Sequence, residues 1–144
     1  MADVTIIAGS PSDKDLTKKV EKLLDDFGVE YESFIASAHR NPDRVKEIVL
    51  SSKARVFIAI AGLSAALPGA IASHTIKPVI GLPKDVKLGG LDSLLSIAQM
   101  PPGVPVATVG IDNAKNAALL AIEILASTDG DLSKKLQEYR EKNR

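Results

Sequence analysis

Short apolar runs alternate with helix-like stretches along the whole chain. Runs of this kind, bounded by turn residues, predict strands over residues 4–8, 55–61, 78–82 and 104–109, and residues 31–36 are interpreted as a further strand. The stretches between them place apolar residues at helical spacing. This alternation predicts an α/β fold in which five parallel strands form one sheet with helices on both faces.

Capping residues mark where the helices begin and end. Ser12 is a candidate N-cap for the first helix, and Gly28 is a candidate C-cap at its end. Asn41 followed by Pro42 predicts the start of the second helix, because proline fits the first helical position. The remaining helices are expected over residues 70–74, 91–98 and 132–142 and, after a cap at Asp112, up to residue 126.

The helix predicted over residues 116–126 is apolar on nearly all sides, with Ala117, Leu119, Leu120 and Ile122 among its members. A surface helix normally carries an apolar stripe and a polar face. A domain of 144 residues has little room to bury a helix on every side. We therefore expect this helix to pack against a neighbouring subunit of a homo-oligomer.

Composition narrows the classes of function. Lys and Arg number 18, as do Asp and Glu, so no bulk field favours nucleic acid or an anionic membrane as a partner. The chain has no Cys, which excludes disulfides, thiolate catalysis and cysteine-ligated metal sites. No apolar run approaches the ~20 residues of a membrane helix, and we expect no signal peptide. The chain is expected to be one domain, residues 1–144, in the cytoplasm.

Three turns that carry small, polar or basic residues each follow a predicted strand. They cover residues 9–13, 37–42 and 62–69. The carboxyl ends of parallel strands meet at one edge of the sheet, and ligands bind there in open α/β sheets. We therefore expect the three turns to form a single site.

The first turn offers two hydroxyls and a carboxylate at the start of a helix. Ser10, Ser12 and Asp13, together with backbone N–H groups, suit a phosphate and a sugar hydroxyl. A capping turn without a ligand explains the same residues equally well. Neither Gly-x-Gly-x-x-Gly nor a Walker loop is present.

The second turn places His39 beside Arg40, with Ser37 two residues before the histidine. Imidazole is the side chain best suited to moving protons near neutral pH. A guanidinium at a helix entrance suits a phosphate or a carboxylate. We interpret His39 as functional rather than as a turn residue bonded to backbone. The other histidine, His74, is expected at the surface or in packing.

The third turn has almost no side-chain chemistry apart from Ser64. One interpretation is tight packing of a helix against the sheet. The other is a close approach of the backbone, from Gly62 to Gly69, to a flat ligand. The sequence alone leaves both open.

Taken together, these segments resemble the PurE family, the catalytic subunit of phosphoribosylaminoimidazole carboxylase. The resemblance covers nearly the whole chain in order, and the matching segments are residues 8–13, 37–42, 65–69, 92–101 and 116–121. It implies a flavodoxin-like three-layer α/β/α sandwich with an extra C-terminal helix. It also implies a homo-oligomer, usually an octamer, with active sites near subunit interfaces and with neither a metal nor an organic cofactor.

The same resemblance implies an activity in purine biosynthesis, the placing of a carboxyl group on C4 of aminoimidazole ribonucleotide. His39 matches the family's proton-transfer histidine, and Arg40 matches the arginine that holds the nucleotide phosphate. Ser10 and Asp13 match its substrate-binding serine and aspartate. The further residues expected to contact this small-molecule substrate are Ser12, Ser37, Gly62, Ser64 and Leu67.

One position departs from the family pattern. Members that act as mutases, which take the carboxyl group from N5-carboxyaminoimidazole ribonucleotide, carry a second histidine just before Leu-Pro-Gly. Here that position is Ala66, and His74 lies eight residues later. The segment around Leu63 is more similar to members that use free carbon dioxide, whereas more of the other segments are similar to mutases. We expect a mutase, an isomerase; the alternatives are a carboxylase, a lyase, and a non-catalytic nucleotide-binding module.

Overall fold

A computed structural model describes residues 1–144 and contains one sheet of five parallel strands. The strands are β1 (Val4–Ala8), β2 (Tyr31–Ile35), β3 (Val56–Gly62), β4 (Val79–Lys84) and β5 (Ala107–Thr108). Their order across the sheet is β2-β1-β3-β4-β5, the flavodoxin-like doubly wound arrangement. The predicted parallel α/β fold is confirmed.

Six helices cover the two faces of the sheet. They are α1 (Lys14–Asp26), α2 (Pro42–Ser51), α3 (Leu67–Ala72), α4 (Leu91–Ala98), α5 (Ala114–Ala126) and α6 (Gly130–Lys142). One core, with Ile6 and Ile58, lies under α1, α5 and α6. The other, with Ile7 and Phe57, lies under α2, α3 and α4. Neighbouring strand residues therefore point into opposite cores, as in a three-layer sandwich.

The last strand is shorter than the sequence predicts. β5 has two residues paired with β4, whereas the apolar run covers residues 104–109. Pro105 has no backbone N–H to donate to a neighbouring strand. The N–H of Val104 is already used in a turn, where it donates to the Pro101 carbonyl at 3.3 Å. Strand pairing therefore begins only after these residues.

Two helix caps differ from those predicted. Ser10, not Ser12, is the N-cap, and it precedes a 3-10 turn, Pro11–Asp13, that leads into α1. Its hydroxyl accepts the Ser12 N–H at 3.2 Å. Asn113, not Asp112, caps α5, since its side-chain oxygen accepts a backbone N–H of the first turn at 3.0 Å. Ser10 has an extended backbone, as an N-cap requires, whereas Ser12 already lies inside the 3-10 turn.

Two helices begin earlier than predicted. α3 begins at Leu67 rather than at residue 70, because Pro68 lies in its first turn, where proline is tolerated. α6 begins at Gly130 rather than at residue 132, because the carboxylate of Asp129 accepts the N–H of Leu132 at 3.1 Å and caps it.

Helix α5 is covered by its own chain. Ala117, Ala121 and Ile122 are fully buried in the core beneath it. Helix α6 packs against another side of α5, and Leu119 and Leu120 are half-buried there. The C-terminal helix thus supplies part of the cover that the sequence pattern left unassigned, and the packing of α5 against a neighbouring subunit stays a prediction.

Candidate active site

A cleft of about 420 Å³ lies at the carboxyl edge of the sheet, where the loops after β1, β2 and β3 meet. The expectation that the three turns come together is confirmed. Every predicted site residue borders this cleft: Ser10, Ser12, Asp13, Ser37, His39, Arg40, Gly62, Ser64 and Leu67. His74 does not border it; it follows α3 and is half-buried.

The β1 loop is held by a reciprocal set of hydrogen bonds. The N–H of Ser10 donates to Oδ2 of Asp13 at 3.0 Å, and the N–H of Ser12 donates to Oγ of Ser10 at 3.2 Å. The two serine hydroxyls are 3.0 Å apart. This capping box satisfies backbone donors at the helix start. It also gathers two hydroxyls and a carboxylate at the cleft.

The β2 loop is a tight turn that presents His39 and Arg40. The N–H of Arg40 donates to Oγ of Ser37 at 3.1 Å, and the N–H of Asn41 donates to the Ser37 carbonyl at 2.9 Å. Asn41 then caps α2, with Pro42 in its first turn. Two serine-centred bonds and a helix cap therefore fix the backbone on either side of the exposed histidine and arginine.

The side chains of His39 and Arg40 are exposed and free to meet a ligand. Arg40 has no ion-pair partner in the chain; the nearest arginine along the sequence, Arg44, pairs instead with Glu47 at 3.2 Å. A guanidinium offers five donors in a planar fork, and an imidazole offers a nitrogen that accepts or gives a proton. This arrangement can hold an anion and exchange a proton beside it.

The β3 loop forms a wall that is almost free of polar side chains. Leu63 has a left-handed backbone, with φ at 56°, and the Ala66 N–H donates to the Ser64 carbonyl at 2.8 Å. A Cβ at Gly62 would lie 2.6 Å from Cγ2 of Val86, so any side chain there would displace that residue. Glycine thus permits the loop after β4 to close over the end of β3.

Two residues at the site, Lys84 and Val86, were not among those that the sequence analysis singled out. Val86 lines the cleft. Lys84 ends β4, and its ammonium lies 3.2 Å from Oδ1 of Asp13 and donates to the Ser12 carbonyl. A lysine directly after an apolar strand, at the same edge as the three turns, was the signal that could have found it.

The polar groups of the cleft suit a polar organic ligand. No three His, Asp or Glu side chains in the chain come together closely enough to hold a metal ion. Nor is any helix long and apolar enough to cross a membrane. The groups present are hydroxyls, one carboxylate, one imidazole and one guanidinium.

Comparison with known families decides the affiliation of the chain. The AIR carboxylase family model matches residues 3–144. The chain belongs to this family. Among curated relatives, a protein of Methanocaldococcus jannaschii named N5-carboxyaminoimidazole ribonucleotide mutase is 62% identical over 96% of this chain and 88% of its own length. A Thermotoga maritima protein of the same name is 51% identical over 99% of this chain and 85% of its own length.

Solved structures support the same family. The crystal structure of Treponema denticola PurE has a TM-score of 0.89 and 32% sequence identity, covering 97% of this chain and 90% of that one. The flavodoxin-like architecture expected from the resemblance is therefore confirmed by the strand order and by this similarity.

Proposed function

We propose that this chain is an N5-carboxyaminoimidazole ribonucleotide mutase of purine biosynthesis, which moves the carboxyl group from N5 to C4 of the imidazole. The observation that carries the proposal is the name shared by the similar curated proteins, which match this chain over almost its whole length. Their names favour the mutase over direct carboxylation and over a binding module without chemistry. The contents of the cleft fit the reaction.

Arg40 is the proposed phosphate ligand. Its backbone is fixed by Ser37, and its guanidinium is exposed and unpaired at the cleft. Arginine recognises a phosphate through two parallel N–H···O bonds. Anchoring the phosphate places the rest of the nucleotide at a fixed distance along the cleft.

The hydroxyl-bearing loops are the proposed ribose site. Asp13 accepts hydrogen bonds from sugar hydroxyls, because an ionised carboxylate is an acceptor only. Ser10 and Ser12, whose hydroxyls are 3.0 Å apart, and Ser37 each donate or accept. Binding energy from the phosphate and ribose holds the imidazole ring in the reacting position.

The β3 loop is the proposed site of the imidazole ring and of carbon dioxide. Gly62, Ser64 and Leu67 line one side of the cleft with backbone and apolar surface. Ala66 contributes only a methyl group where mutase-type members carry histidine. A pocket that excludes water keeps the released carbon dioxide from diffusing away or being hydrated.

His39 is the proposed proton carrier. When the N5–carboxyl bond breaks, carbon dioxide leaves and the electron pair returns to N5, which takes a proton from the imidazolium. The C4 carbon then attacks carbon dioxide and becomes tetrahedral. Its proton passes to the imidazole, and the ring regains aromaticity. His39 gives one proton to N5 and takes one from C4, so it returns to its starting protonation state and the reaction needs no cofactor.

The test gives the enzyme each carboxyl donor separately. We expect turnover of N5-carboxyaminoimidazole ribonucleotide and none of aminoimidazole ribonucleotide with bicarbonate at matched concentrations. His39→Asn is expected to abolish turnover while leaving the circular dichroism spectrum unchanged. His74→Asn, which alters the only other histidine, is the matched control and is expected to retain activity. Preferential use of bicarbonate would instead make the chain a carboxylase.

We further propose that residues 1–144 act as one catalytic domain, and that this domain assembles as a homo-octamer with active sites near subunit interfaces. Exposed apolar side chains support an interface: Leu63 and Val86 line the cleft, and Leu88, Leu91 and Leu95 follow Val86 along the chain. A cytoplasmic setting is proposed because the phosphorylated substrate is a charged metabolite. No nucleic acid, membrane, metal or organic cofactor takes part in the proposed reaction.

A further inference from the structure

Lys84 occupies an unusual place for a lysine. It is the last residue of β4 and pairs in the sheet with Gly62, so it lies at the edge that forms the cleft. Its side chain is only 21% exposed. Lysine is rarely buried unless it is paired. Its ammonium here crosses the end of β3 to reach the loop after β1.

Both ends of this interaction are specific. The ammonium of Lys84 lies 3.2 Å from Oδ1 of Asp13 and donates to the carbonyl of Ser12. The side chain of Asp13 is 5% exposed, and its other oxygen, Oδ2, accepts the N–H of Ser10 at 3.0 Å. Each carboxylate oxygen therefore has one partner inside the protein.

These two partners fix the orientation of the Asp13 carboxylate. An ionised carboxylate has about four acceptor positions, so two protein partners leave acceptor positions for a ligand. Without Lys84, Oδ1 would lose its charged partner, and the carboxylate would be free to rotate about the bond that carries it. A nearly buried carboxylate without a cation would also repel an anionic substrate.

We propose that Lys84 is a positioning residue that acts through Asp13: it orients and neutralises this carboxylate so that it accepts hydrogen bonds from the ribose hydroxyls of the substrate. The inference rests on the proposed function, in which Asp13 binds substrate. Lys84 does not itself line the cleft, so its effect belongs to substrate binding rather than to the proton transfer at C4.

The test compares Lys84→Met with Lys77→Met. Lys77 lies just before the opposite end of the same strand, and its ammonium also donates to a backbone carbonyl, that of Ser52, at 3.1 Å. We expect Lys84→Met to raise KM about tenfold, the order expected when a charged hydrogen bond is lost, with kcat changed less than about twofold. Lys77→Met is expected to leave both constants unchanged.

A double-mutant cycle tests whether the effect passes through Asp13. In an Asp13→Asn background, Lys84→Met is expected to raise KM less than about twofold, because the carboxylate that it orients is gone. If Lys84→Met raises KM equally in the presence and in the absence of that carboxylate, the proposal is overturned. So would a Lys84→Met enzyme that differs from wild type only in melting temperature, as a purely structural ion pair would require.

A binding measurement separates this inference from the proposed function. Ribose 5-phosphate carries the hydroxyls and the phosphate without the chemistry, and its affinity is measured by calorimetry. If the wild-type protein does not turn over N5-carboxyaminoimidazole ribonucleotide, the mutase assignment is refuted, but the role of Lys84 is not. About tenfold weaker binding of ribose 5-phosphate by Lys84→Met than by wild type would still support the role of Lys84. The proposed role of Lys84 is overturned if the two proteins bind ribose 5-phosphate equally tightly, or if neither of them binds it.

Discussion

Arg40 brings an exposed and unpaired positive charge to the cleft. If it holds the substrate phosphate, Arg40→Met should raise KM by roughly tenfold to a hundredfold, because hydrogen bonds to charged groups contribute about 1.5–3 kcal/mol. The phosphate is remote from C4, so kcat should fall much less. Steady-state kinetics with N5-carboxyaminoimidazole ribonucleotide measures both constants.

Arg44 supplies the matched control for this prediction. It lies on α2, pairs with Glu47 at 3.2 Å and sits 5.7 Å from the centre of the Phe34 ring. Arg44→Met removes the same charge outside the cleft and should leave KM unchanged. Similar kinetics in the Arg40 and Arg44 variants would mean that the phosphate binds elsewhere.

Residue types and strand-end positions were enough to predict most of the cleft. His39, Arg40 and Asp13 each follow a strand, and the parallel topology brings such positions together. The role of Lys84 was not predicted, because it depends on how far the side chain reaches across a neighbouring strand. The left-handed backbone of Leu63 was not predicted, because leucine has no intrinsic preference for that conformation. Only the surrounding loop imposes the conformation.

At the level of elements, continuous apolar runs predicted the buried strands, but they did not predict where β5 begins or what covers α5. Continuous apolar runs predicted β1, β3 and β4, since such a run suits a strand covered on both faces. β5 was overestimated because Pro105 removes a ladder donor from an otherwise apolar run. The packing of α6 on α5 was not predicted. The sequence of α6 is strongly charged, so the side of α6 that packs against α5 is not obvious from its pattern.

The packing of α6 gives a stability prediction. Leu132 is 7% exposed and belongs to the core beneath α1 and α5. Leu132→Ala should lower the free energy of unfolding by about 2–3 kcal/mol, through lost burial and the cavity left behind. Urea denaturation at a fixed protein concentration measures the change.

Leu50 provides the comparison for Leu132, because it lies on α2 with 63% of its surface exposed. Leu50→Ala removes the same atoms from a position that buries little area, so the free energy of unfolding should change by less than about 0.5 kcal/mol. Equal effects of the two substitutions would show that α6 does not pack on the core in solution.

At the scale of the whole molecule, apolar side chains are exposed on α4 and on the segment just before it. Leu91 and Leu95 are 52% and 48% exposed and lie one turn apart on α4, so they share one face of the helix. Leu88, 78% exposed, precedes them in the same segment. Exposed apolar side chains that lie this near one another along the chain are typical of a protein interface. They suit the proposed octamer, whose sites would then lie near subunit contacts.

The assembly prediction follows from that surface. The wild-type protein should scatter light as an octamer of a 15.2 kDa chain, and the double substitution Leu91→Glu with Leu95→Glu should reduce the mass, because buried charges without partners destabilise an interface. Activity should fall with the mass, since Val86, which lines the cleft, lies two residues before Leu88. Leu50→Glu, which changes an exposed leucine on α2, should leave the mass unchanged. A wild-type monomer at micromolar concentration would refute the octamer and leave the chemistry of the cleft to a single chain.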